Sequence, residues 1–101
     1  MVERALKVII DNEAKAQLRQ AYNYISKESP QNAQKVKTKI LSSIKELISN
    51  PKKHAADKYR LNNDGSFRAY ELYKYRITYH VSDQQIRVIR VRHTKMNPLE
   101  Y

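Results

Sequence analysis

The sequence predicts an α+β fold. An N-terminal strand leads into an antiparallel helical hairpin, and a three-stranded antiparallel meander completes one small sheet with helices on one face. Three observations carry this expectation. Apolar residues alternate near the start of the chain, recur at helical spacing in two blocks split by a Ser-Pro step, and alternate again in three runs after position 66. The order strand, helix, helix, strand, strand, strand packs as two layers. At 101 residues the chain makes one domain, residues 1–101.

The first element is "RALKVIID", with Leu6, Val8 and Ile10 on one side. Asp11 or Asn12 can cap the next helix. In that helix Ala14, Leu18, Ala21, Tyr22 and Ile25 share a stripe, and it should end near Lys27. Ser29 and Pro30 restart the chain as a second helix, the hydroxyl as cap and the proline at the first helical position. Ala33, Val36, Ile40, Ile44, Leu47 and Ile48 form its stripe, and Pro51 cannot continue it. The stretch "PKKHAADKYRLNNDGS", holding the single glycine Gly65, reads as a loop. Strands are expected over 67–73, 75–82 and 85–93. In the last of these Val88 and Ile89 are adjacent and Arg90 and Val91 follow, so it is either bulged or buried on both faces.

The charge stands out. Twenty Lys and Arg against ten Asp and Glu give +10, which suits a polyanionic partner: nucleic acid, a ribosome or an acidic protein. From Gln84 to Lys95 there is no acid, while Arg87, Arg90, Arg92 and Lys95 follow one another. On the middle meander strand Tyr75, Ile77, Tyr79 and Val81 share one side and Arg76, Thr78 and His80 the other. A sheet covered on one face can leave its other face wet, so these cations are expected to line the uncovered face and edges as a basic groove. The absence of cysteine removes disulfides and thiolate zinc sites and suits a reducing compartment. "MVERALKVIID" is too short and too charged for a signal peptide or membrane span. A cytoplasmic protein without membrane contact is expected. No nucleotide loop or metal-ligand spacing appears, so neither cofactor nor metal is implied.

Together, "AYNYISKESPQNAQKV", "ISNP", "YRITYHVSD" and "IRVIRVRH" resemble the RelE/ParE superfamily of bacterial toxins, the plasmid stabilisation protein family, over nearly the whole chain. The resemblance implies a toxin of a type II toxin–antitoxin module, held inactive by a cognate acidic antitoxin, and a dimer within that complex is compatible with it. It leaves three functions open. RelE-like members cut messenger RNA on the ribosome without a metal, and this endoribonuclease activity is placed first. ParE-like members poison DNA gyrase and are not known as nucleases. A third reading is a non-toxic member that only binds antitoxin or nucleic acid.

Metal-free RNA cleavage needs a base for the 2′-hydroxyl, cations for the phosphate and an acid for the leaving oxygen. Arg76, in "YRI", matches the family arginine at that step and could clamp phosphate. It could equally be a strand arginine paired with a carboxylate. Arg68, in "SFRAYEL", matches a ParE-like arginine and could clamp phosphate or pair with Glu71. His93 ends the last strand where related toxins often carry a proton-transferring histidine, or it bonds a backbone carbonyl. Lys95 aligns with a basic step of the RelE-like tail, but Met96 stands where an arginine follows there. Tyr101 lies near the place of a tail tyrosine that stacks on a base. Lys52 and Lys53 open the loop where RelE-like nucleases carry working lysines, at a spacing that does not line up. With Lys74, His80, Arg90 and Arg92 they are candidates for nucleic-acid contact. Eight Tyr stand against one Phe. Tyr70, Tyr73, Tyr75 and Tyr79 are expected as half-buried sheet residues with wet hydroxyls more often than as base-stacking platforms.

Overall fold

A computed structural model gives the fold, and it describes residues 7–95. The elements are β1 (Lys7–Ile10), α1 (Asn12–Ser26), α2 (Pro30–Glu46), β2 (Phe67–Leu72), β3 (Tyr75–Val81) and β4 (Gln85–His93). The sheet order is β1-β4-β3-β2, with β1 parallel to β4 and the meander antiparallel. Leu6, the first apolar residue of the expected N-terminal strand, lies outside the described residues.

Ser29 starts α2 as anticipated. Its backbone is extended, its hydroxyl accepts the Asn32 N–H at 3.1 Å, and Pro30 occupies the first turn. Asp11 occupies the N-cap position of α1, but its side chain makes no cap hydrogen bond. Its carboxylate pairs with the Arg87 guanidinium instead. At the far end of α2, single turns from Leu47 to Ser49 tighten the backbone, each N–H reaching three residues back. That change of pitch keeps Leu47 buried but rotates Ile48 off the stripe, leaving it 46% exposed rather than in the core.

Both helices pack on the same side of the sheet. Ala14 and Ala21 of α1, with Val36, Ile40 and Ile44 of α2, meet Tyr75, Ile77, Tyr79, Ile86, Val88 and Val91 of the strands. Of the two readings left open for β4, the bulge is the one found, and it explains the strand's pattern. Thr78 faces Arg90 and Tyr79 faces Val88, so Ile89 is the extra residue. Without it, strict alternation would put Arg90 and Arg92 on the side of Ile86 and Val88. With it, Val91 rejoins the core and Arg87, Arg90 and Arg92 share the opposite face.

Candidate functional site

On the helix-free face, the register sets Arg76 opposite Arg92, Thr78 opposite Arg90 and His80 opposite Arg87. Basic groups directly across a ladder repel when charged. Carboxylates from elsewhere offset part of that repulsion. The loop after α2 runs beside the start of β2, where the Asp57 N–H donates to the Phe67 carbonyl and Ala69 N–H to the Ala55 carbonyl. This turns Asp57, 2% exposed, towards β3, where its Oδ1 accepts from an Arg76 terminal nitrogen at 2.8 Å. Glu71 lies 3.5 Å from the other terminal nitrogen of Arg76. Asp11 does the same service for Arg87. The Arg76 guanidinium also lies over the Tyr59 ring and that of Arg60 over Phe67, whose ring in turn packs on His80.

The loop that delivers Asp57 is held by Asn63. The Asn63 amide donates to the carbonyls of Asp57 and Phe67, and its oxygen accepts the Gly65 and Phe67 N–H groups. Gly65 sits at φ +95°, a conformation that glycine adopts without strain.

Arg68 points to the other side of β2, paired across from Tyr79. It does not meet Glu71. A terminal nitrogen donates to the His54 carbonyl at 2.6 Å and more weakly to that of Lys52, and its buried Nε has no hydrogen-bond partner among the described residues. Around it is an aromatic cluster. The His54 ring stacks on Tyr70 at 4.0 Å, and burial, helped by the Lys53 charge, lowers its pKa. The Tyr70 hydroxyl shares a 2.7 Å hydrogen bond with Ser43, and burial pushes its pKa up to about 12. The Tyr79 hydroxyl, expected to be wet, is buried and donates to the Pro51 carbonyl at 2.8 Å. Tyr75 is buried as well, and Tyr73 alone of the four is exposed.

His93 and Lys95 stand elsewhere again. By register His93 lies across from Tyr75 on the helix side, and the two rings meet edge to face at 5.1 Å. The His93 Nδ1 accepts the Lys95 backbone N–H at 3.0 Å. Both residues line a groove of about 600 Å³ between the second half of α1 and the end of β4, with Gln20, Ala21, Tyr24 and Tyr75. Lys74 is exposed in the β2–β3 turn, where it and Tyr73 take left-handed backbone angles. Lys52 is solvated, and Lys53 makes a loose 3.7 Å pair with Glu46. Tyr101 lies outside the described residues.

The predicted residues that the structure describes are thus divided among four places. Arg76, His80, Arg90 and Arg92 share the helix-free face, Arg68 sits under the loop that carries Lys52 and Lys53, His93 and Lys95 line the α1–β4 groove, and Lys74 stands in the β2–β3 turn. Asp57 and Asn63 were missed. Nothing in "AADKYRLNND" separates them from ordinary turn residues: the partner of Asp57 is nineteen positions away, and Asn63 bonds only backbone groups of its own loop and the start of β2.

The fold is a small α+β one, with one four-stranded sheet and both helices on the same side of it. The chain belongs to the ParE toxin family of type II toxin–antitoxin systems, parDE, whose family model matches residues 8–98. It is therefore a RelE/ParE superfamily toxin. Among solved structures it is similar to the chromosomal ParDE toxin–antitoxin system of P. aeruginosa, at 19% identity and a TM-score of 0.72, covering 92% of this chain and all of that one. It is also similar to the YoeB dimer from Staphylococcus aureus, at 17% identity and a TM-score of 0.57, covering 88% of this chain and 97% of that one. These two likenesses concern the fold. No curated protein matches the sequence.

Proposed function

We propose that this toxin acts as a ParE-like inhibitor of DNA gyrase, restrained by a cognate antitoxin, and not as a ribosome-dependent nuclease. The observation that carries the reading is the dispersal of the groups a metal-free nuclease would need. Arg76, the best phosphate clamp by motif, is held by a buried carboxylate, which competes with any incoming phosphate. His93, the obvious proton carrier, belongs to the opposite side of the sheet. Arg68 is spent on backbone carbonyls. Cleavage needs base, cation and acid within about one hydrogen bond of a single phosphate, and these three side chains offer no such meeting point. Binding another protein makes no such demand. The ParE family match supports the same branch.

The test sets purified toxin against gyrase and supercoiled plasmid, and in parallel against messenger RNA on translating ribosomes. Accumulated gyrase–DNA cleavage complexes with intact message are expected. Cuts within codons on ribosome-bound message, with gyrase unaffected, would overturn the reading.

A further inference from the structure

Tyr73 and Lys74 form the whole connection between β2 and β3, since Leu72 and Tyr75 pair across it. Both have positive φ, +51° and +68°. A two-residue hairpin turn with both central residues in the left-handed region favours Asn-Gly, because bulkier side chains crowd the backbone there. Asn62, the other non-glycine residue of positive φ among those described, is of the tolerant kind. The β3–β4 connection has no left-handed residue and is held instead by Ser82, whose hydroxyl accepts the Gln85 N–H at 3.2 Å. The strain is therefore local to the β2–β3 tip. Its surroundings impose it: the ladder fixes both flanks, and the Lys74 carbonyl accepts the Thr94 N–H at 2.8 Å. Unfavourable backbone held in place this way gathers at functional sites. What an Asn-Gly tip would lack is the pair of side chains, the Tyr73 ring at 42% exposure and the exposed Lys74 ammonium.

The tip stands at a basic end of the sheet. Tyr75 faces His93 in register, so the turn lies beside His93, Thr94 and Lys95. Neither Lys74 nor Lys95 pairs with a carboxylate among the described residues, and Glu71, the acid on β2, is turned to Arg76. Cations without acids beside them favour a polyanion over an ordinary protein surface.

We propose that the Tyr73–Lys74 tip touches DNA when the toxin acts on gyrase, the ring stacking on a base at the severed segment and the ammonium meeting a backbone phosphate. The inference rests on the gyrase reading above and adds to it the surface that reaches the nucleic acid. Base–aromatic stacking tolerates any sequence, and a lysine offers phosphate a compact charge. A ring lodged beside a base step holds the stack open, and severed ends held apart are what accumulates as cleavage complexes.

The test gives the turn the pair it prefers, Tyr73→Asn with Lys74→Gly, in the full chain. Relief of the backbone should raise the thermal midpoint by about 4 °C, so that lost function is not lost folding. The variant is expected to need roughly tenfold more toxin for the same yield of gyrase–DNA cleavage complexes. In parallel, toxin carrying Tyr73→p-benzoylphenylalanine is irradiated with gyrase and end-labelled DNA, and a cross-link to the DNA is expected. A variant that poisons gyrase as wild type does would leave the tip a hairpin feature only and overturn the contact. A midpoint that does not rise would remove the strain and overturn it as well. Cross-links confined to gyrase subunits, or none, would equally overturn the DNA assignment while gyrase inhibition stands. If wild type itself yields no cleavage complexes, the gyrase reading falls and takes the contact with it.

Discussion

One strand, β3, looks two ways, and its sides are held by different physics. Towards the helices it presents Tyr75, Ile77 and Tyr79, none more than 7% exposed, packed among residues of both helices and both neighbouring strands. Away from them it presents Arg76, Thr78 and His80. There Thr78 is also buried, at 3%, and the guanidinium beside it is held by Asp57 from a loop nineteen positions earlier. The first side is fixed by burial, which is non-directional and tolerant of detail. The second is fixed by a few directed contacts, each costly to break because its partner stays behind. A basic strand face is therefore not by itself a binding face. Two of its arginines are committed to carboxylates of this same chain, Arg76 to Asp57 and Glu71, and Arg87 to Asp11.

The comparison can be broken first at Asp57. Asp57→Ala leaves Arg76, with a side chain only 19% exposed, facing a desolvated gap. The expected loss is roughly 3–5 kcal/mol in urea unfolding, on the scale of about 2–5 kcal/mol for truncating the fully buried Ile77 to Ala. A loss near zero would make the pair ornamental and reopen Arg76 as a ligand-binding group.

A smaller effect sharpens the helix-facing side. Tyr70→Phe removes the Ser43 partner and should cost about 1 kcal/mol at neutral pH. Its pH signature is more telling. The folded value of about 12 lies above the ordinary 10.0, so the unfolded chain releases this proton first. Its stabilising contribution is complete below pH 10 and is lost as pH rises towards 12. The variant should show a shallower decline across that window, and an unchanged decline would contradict the burial assigned to this hydroxyl.

What could be read in the sequence follows the same division. The order of elements along the chain, the Ser29 cap, the two helical stripes and the irregularity of β4 all depend on local spacing, and local spacing is visible in a string of letters. Ile48 escaped because its helix tightens in the last turn. Tyr79 was misjudged as wet because the Pro51 carbonyl reaches it from 28 positions away. The candidate cations were legible as residues, and several do share a face. Their pairings were not, since Asp57 and Asp11 arrive from other parts of the chain. Arg68 was expected to meet either a phosphate or Glu71 and instead binds two backbone carbonyls.

The central claim is that Arg76 serves the fold and not a reaction. It is tested most directly by replacing the charged pair with a neutral hydrogen-bonded one, Asp57→Asn together with Arg76→Gln, in a protein shown by circular dichroism to keep its fold. Growth arrest and gyrase–DNA cleavage complexes at wild-type levels are predicted. A folded double variant that has lost toxicity, with message cleavage present in the wild type and absent from it, would contradict the account.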